Sequence, residues 1–112
     1  MQLDFLKCRS RKGVIDLGDM LQKLASRGVT CLLVEEGEAL HTSFLEQDLA
    51  DAASLFVAPL LIGGQGAVSV YGGRGSIDMD HVKRLRNPRI RKLGQDVLFE
   101  GILNTEDAER LV

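Results

Sequence analysis

The run Val29-Thr30-Cys31-Leu32-Leu33-Val34, the segment Glu35 to Asp51, and the run Ala53-Ser54-Leu55-Phe56-Val57-Ala58 together decide how this chain is read. Both runs are apolar and rich in β-branched or aromatic residues, with little polar alternation, as strands covered on two faces are. Between them Glu35-Glu36-Gly37 reads as a turn. Leu40, Ser43, Phe44 and Leu45 then share one side of a short helix that ends near Gln47. Strand, helix and strand in that order predict one parallel βαβ unit over 29–58 with a right-handed crossover.

Upstream, Asp16 is a good helix N-cap. Leu17, Met20, Leu21 and Leu24 recur at helical spacing until Gly28 supplies a left-handed stop. Downstream, Pro59 cannot donate to a ladder, and Gly63-Gly64-Gln65-Gly66 marks a loop before the short segment Val68 to Tyr71. Beyond Gly72-Gly73-Arg74-Gly75, Arg89 to Leu93 and Gln95 to Leu103 predict an antiparallel hairpin turning at Gly94, and polar residues 105–112 are expected to fray. The predicted fold class is therefore α/β, with one parallel βαβ unit and a C-terminal antiparallel hairpin. Such a layer leaves one face in need of cover, which predicts a homo-oligomer or another covering segment.

At 112 residues, with 45% hydrophobic and 27% charged residues, residues 1–112 are expected to form a single domain with enough apolar material for a core. The formal charge of −2 argues against a globally basic nucleic-acid module. Apolar runs such as Leu55 to Ile62 are far short of the ~20 residues that span a bilayer, and Met1 to Arg11 lacks an apolar signal segment. The expected compartment is the cytoplasm. Two Cys without a CxxC and two His support neither a disulfide framework nor a metal site. Cys31, inside an apolar run, is expected to be a small buried residue.

Three ordered blocks carry a family resemblance. They are Leu32-Leu33-Val34-Glu35-Glu36-Gly37-Glu38-Ala39-Leu40, then Ser43-Phe44-Leu45, then Leu55 to Gly64, and the closing Leu93 to Gly101 adds to them. In this order and spacing they resemble the C-terminal reductase domain of the bifunctional riboflavin-biosynthesis deaminase-reductase family. The resemblance covers residues 15–103 and corresponds to the C-terminal half of that domain. It implies a partial dihydrofolate-reductase-like fold, NADPH as cofactor, and reduction of 5-amino-6-(5-phosphoribosylamino)uracil, a small-molecule substrate, to its ribityl product.

By the same resemblance Glu35 is the substrate-contacting carboxylate, an acceptor for an aminouracil N–H at the carboxyl end of a strand. Gly37, Glu38, Ala39, Leu40, His41, Thr42 and Ser43 correspond to the cofactor loop. There a helix N-terminus offers unpaired N–H groups and a positive dipole end to a pyrophosphate, and Thr42 and Ser43 add hydroxyls. The chain departs from the family pattern at Glu36, in place of a Gly, and at Glu38, in place of a Pro. Each carboxylate repels a pyrophosphate by about 1 kcal/mol at 4 Å in water. No Lys or Arg occurs between Arg27 and Arg74, which leaves Arg74 as the nearest cation in sequence for a 2′-phosphate. These departures keep two other readings open: a non-catalytic oligomeric module of the same fold, and a small polyanion binder.

The polyanion reading rests on Lys83, Arg84, Arg86, Arg89, Arg91 and Lys92, six cations in ten residues. No aromatic residue interleaves them for base stacking, and Arg89 and Arg91 alternate around Ile90 as cations on the wet face of a strand do. A solvated face is the expectation, without nucleic acid.

Overall fold

The computed structural model describes residues 3–35 and 37–103. The Glu36 carboxylate and the frayed tail expected over 105–112 lie outside the described residues. The chain divides after Glu35 into two compact units.

The first unit opens with a small hairpin, β1 (Ser10–Arg11) and β2 (Val14–Ile15), paired antiparallel with Arg11 opposite Val14. Its two-residue turn, Lys12-Gly13, has positive φ at both positions (52° and 78°), the twist that matches a tight hairpin. Helix α1 (Leu17–Ser26) follows. Asp16 caps it as expected, its Oδ1 accepting from the Asp19 amide at 3.1 Å. At the other end Gly28, at φ 88°, donates to Ala25 O at 2.9 Å, and Val29 N donates to Leu24 O at 3.1 Å. These two bonds form the Schellman closure that a C-terminal glycine permits.

Asp19 is the buried polar side chain of this unit. It accepts from the Arg9 amide at 2.7 Å and from Lys23 Nζ at 2.8 Å, while Arg9 Nε stands 3.3 Å away. Lys23 Nζ also donates to Lys7 O at 2.8 Å, so one carboxylate ties residues 7–9 to α1. The hydrogen bond from Lys23, then that from the Arg9 amide, hold the Asp19 carboxyl below the ordinary aspartate range.

The second unit begins with α2 (Glu38–Glu46), whose N-cap is Gly37. Its C-terminal closure repeats that of α1 with Asp48 in the glycine position, at φ 53°. Asp48 N donates to Leu45 O at 3.1 Å and Leu49 N to Phe44 O at 2.9 Å. Three strands follow: β3 (Ala52–Val57), β4 (Arg86–Leu93) and β5 (Asp96–Ile102), in the spatial order β3-β5-β4. The predicted hairpin is present, with Leu93 opposite Asp96 and Gly94 turning at φ 60°. A bulge interrupts β4 between Arg86 and Arg89, with Asn87 at φ 50° beside Pro88. Gly101 faces it, where an added Cβ would lie 2.6 Å from Leu85 Cβ. Phe44, Leu98 and Ile102 are the buried apolar residues of this unit.

Two expectations are corrected. The α/β class and the hairpin hold, but the parallel βαβ pairing does not. Both ladders of the three-stranded sheet are antiparallel, and Val29 to Val34 is outside any ladder among the described residues. An apolar run expresses a preference for burial, whereas a strand also needs a neighbour for its backbone groups, and the sequence of the run does not specify that neighbour. Cys31 is likewise exposed rather than buried, in company with Leu32 and Leu33. Both cysteines are free thiols.

Candidate cofactor site at the start of helix α2

Gly37 precedes α2 with extended backbone (φ −70°, ψ −174°) and no side-chain cap, so no side chain claims the first-turn amides through the N-cap. This is the backbone half of an anion site. The side chains around it have other commitments. Ser43 Oγ donates to Ala39 O at 3.0 Å, one turn back. Thr42 Oγ1 accepts from the Gly72 amide at 2.9 Å, Glu38 Oε2 from the Ser69 amide at 3.2 Å, and Glu46 Oε1 from the Arg74 amide at 3.2 Å.

Glu38, Thr42 and Glu46 are spaced i, i+4, i+8 and so form one stripe along α2. The loop over 69–74 lies on that stripe, with three of its amides held by three successive acceptors. Close approach explains the loop's glycines: a Cβ on Gly72 would run into the Glu38 carboxylate, and one on Gly73, which sits at φ 70°, would meet Glu46 and come within 2.8 Å of Thr42 Cγ2. Those three amides are therefore turned to α2 and not offered to a phosphate.

The expected site residues fall as follows. Gly37 and Ala39 are exposed, and Glu38, Leu40, His41, Thr42 and Ser43 are half-buried along α2. Glu35 is exposed in the first unit, two positions before Gly37 in sequence. Arg74 is held by its backbone at the Glu46 end of α2, about 12 Å along the axis from Glu38 at 1.5 Å per residue. The residues thus fit a pyrophosphate through backbone amides and do not provide a cation for a 2′-phosphate near Gly37. Gly63 and Gly64 adopt positive φ (69° and 85°) in a wholly exposed loop.

A cavity of about 230 Å³ opens at the other end of α2, lined in part by Leu45, Asp48, His81, Lys83 and Arg84. Its polar groups serve one another or the backbone. Lys83 pairs with Asp48, His81 Nδ1 meets Asp78, and Arg84 Nη2 donates to Met79 O at 3.2 Å. Further along the basic run, Arg91 Nη2 donates to Glu100 Oε1 at 2.9 Å, and Ser54 Oγ donates to Glu100 Oε2 at 3.2 Å across the sheet. The run is exposed, and three of its six cations have protein partners. The described residues contain no cluster of three His, Cys, Asp or Glu placed to hold a metal, and no helix long and apolar enough to cross a membrane.

Two helices, one of them opening on a glycine without a side-chain cap, and antiparallel sheets give the chain a mixed α/β character. Comparison with known proteins makes this specific. Residues 2–99 match the RibD C-terminal domain, and the chain belongs to that family. It is 33% identical over 101 residues to the riboflavin biosynthesis protein RibD of Actinobacillus pleuropneumoniae, covering 90% of this chain and 27% of that protein. It is also 33% identical over 86 residues to the 2,5-diamino-6-ribosylamino-4(3H)-pyrimidinone 5′-phosphate reductase of Methanothermobacter thermautotrophicus, covering 77% of this chain and 40% of the relative. Among solved structures, form 1 of Acinetobacter baumannii RibD superposes with a TM-score of 0.70 at 28% identity, over 83% of this chain and 27% of that one. The chain thus spans well under half the length of these relatives. The match begins at residue 2, ahead of residues 15–103 over which the resemblance in sequence runs, and so takes in the β1–β2 hairpin.

Proposed function

We propose that this chain is the cofactor-side portion of an NADPH-dependent reductase of riboflavin biosynthesis, acting in the cytoplasm on a phosphoribosylaminopyrimidine, with residues 1–112 serving as one domain. The observation that carries this reading is the uncapped N-terminus of α2 at Gly37, within the family segment Leu32 to Leu40. In a member of this family the first-turn amides of Glu38, Ala39 and Leu40 would hold the pyrophosphate, aided by the helix dipole. Glu35 would accept from an N–H of the pyrimidine. His41 lies a turn further along α2. NADPH, when bound, supplies the hydride; the chain orients its two reactants.

The loop over 69–74 supports this reading by fixing α2 from one side and by holding the Glu38 carboxylate against the Ser69 amide rather than leaving it to the helix end. Glu38 still places a negative charge in the first turn, and among the described residues of α2 and the loop over 69–74 the cation is Arg74 at the far end of the helix, so the affinity for NADPH is weak and exceeds that for NADH little. Calorimetric titration of the whole chain with NADPH and with NADH tests this. Weak saturable binding of both supports the reading, and no binding of either at millimolar cofactor refutes it. The second reading, a non-catalytic oligomeric module, draws on the commitment of the Thr42 and Ser43 hydroxyls to protein partners, and it predicts that second result.

A further inference from the structure

Lys83 and Arg84 differ from the other cations of the basic run in where the fold puts them. Arg86, Arg89 and Lys92 lie exposed along β4, whereas Lys83 and Arg84 both line the cavity of about 230 Å³ at the C-terminal end of α2. Asp78 shapes the chain just ahead of them. Its Oδ1 accepts from the amides of Asp80 at 2.9 Å and His81 at 3.1 Å, and His81 Nδ1 meets the same oxygen, so residues 78–81 form a tight turn. In the Lys83–Asp48 pair the cation is the covered partner, its side chain 31% exposed against 72% for the carboxylate.

Both cations keep donors in hand. An ammonium has three N–H groups and a guanidinium five. Asp48 takes one from Lys83, and Met79 O takes one from Arg84 Nη2 at 3.2 Å. The helix end opposes an anion less than a bare one would, because the carbonyls of Ser43, Phe44 and Leu45 already accept from the amides of Gln47, Leu49 and Asp48. Among the described residues lining the cavity Asp48 is the carboxylate, so two cations outweigh it, and the apolar walls of Leu45, Val82 and Leu103 strengthen their pull on a ligand.

We propose that this cavity binds a phosphate group, with Lys83 Nζ and the Arg84 guanidinium as its donors. Its volume falls below the roughly 300–1,000 Å³ of pockets that enclose a drug-sized ligand, so it fits a phosphate monoester on a small carbon skeleton and not a dinucleotide. It lies at the opposite end of α2 from Gly37 and is independent of the cofactor reading.

Inorganic phosphate titrated into the full chain at constant ionic strength, followed by amide NMR shifts, tests this. Saturable shifts should fall over 45–50 and 81–84 and not over 37–40. Lys83→Gln, which still offers an N–H to Asp48, and Arg84→Gln, which leaves the Lys83–Asp48 pair whole, should each stay folded by circular dichroism and weaken phosphate roughly tenfold. Arg89→Gln and Lys92→Gln make the same charge change outside the cavity and should leave the affinity nearly unaltered. Ribose 5-phosphate should move the same amides as inorganic phosphate. Absence of saturable shifts at tens of millimolar phosphate, shifts centred on 37–40, or equal weakening by all four variants would overturn the site. Ribose 5-phosphate that leaves 81–84 unmoved would overturn its assignment to a monoester.

Discussion

Thr42→Val changes a hydroxyl for a methyl of nearly the same volume, and its effect follows from a single bond. Thr42 Oγ1 accepts from the Gly72 amide at 2.9 Å in a half-buried setting, at the middle of the three contacts that hold the loop over 69–74 on α2. The variant removes the acceptor and leaves the donor with partial access to water. The cost is that of a lost hydrogen bond, about 1 kcal/mol, and not the larger penalty of a fully buried orphan donor. Because the loop opens locally, this cost appears first in amide exchange: the Gly72 amide should exchange roughly fivefold faster, the factor that 1 kcal/mol corresponds to. Ser43→Ala is the control. Ser43 Oγ only back-bonds to Ala39 O within the helix, so its removal strands no amide and should change stability by less than about 0.5 kcal/mol. Hydrogen exchange resolved by NMR reads both. A Gly72 amide that exchanges at the same rate in Thr42→Val and in wild type would refute the claim that the α2 stripe holds the loop.

Gly73→Ala should cost about 2 kcal/mol in urea denaturation, because φ 70° is unfavourable for a residue with a Cβ and Thr42 Cγ2 and Glu46 stand in its way. Glu38→Gln keeps an acceptor for the Ser69 amide and removes the charge from the first turn, so titration should show NADPH binding tightened several-fold, by about 1 kcal/mol. Asp19 has a depressed pKa in the folded chain, so the stability it contributes is complete above the ordinary aspartate range and is lost as pH falls through its lowered folded value. Denaturation between neutral and acid pH should therefore show a loss of stability in wild type that is smaller in Asp19→Asn. Arg91→Ala should cost under about 1 kcal/mol, since the arginine is largely exposed, and should confer no change in salt-dependent DNA retention.

What could be read in the sequence was what short range determines. The α1 cap at Asp16, its apolar stripe and its stop at Gly28 are local signals, and the hairpin turn at Gly94 is another, so each appears where it was expected. The partner of an apolar run is set by the whole chain, and the parallel pairing of Val29 to Val34 with β3 failed for that reason. The α2 C-terminus was placed within a residue although Asp48 stands where glycine is usual, because a small polar side chain tolerates the left-handed region. Glu38, Thr42 and Glu46 are visible as a polar stripe at helical spacing, but their use is not, since the amides they hold come some thirty positions later in a loop without a motif. Asp19 is hidden in the sequence for a similar reason: with Lys23 at i+4 it reads as an ordinary surface pair, and only the fold brings the Arg9 amide to the same carboxylate.

In the function proposed above, this chain brings NADPH and a phosphoribosylaminopyrimidine together for hydride transfer. The most direct measurement uses NADPH carrying deuterium at the transferable position, incubated with the full chain and 5-amino-6-(5-phosphoribosylamino)uracil, with the product read by mass spectrometry. The expected result is slow formation of the ribityl product carrying deuterium on the former ribose, lost when Glu35 is changed to Ala and accelerated in Glu38→Gln. Unchanged substrate after prolonged incubation at saturating cofactor, with the chain folded throughout, would contradict it.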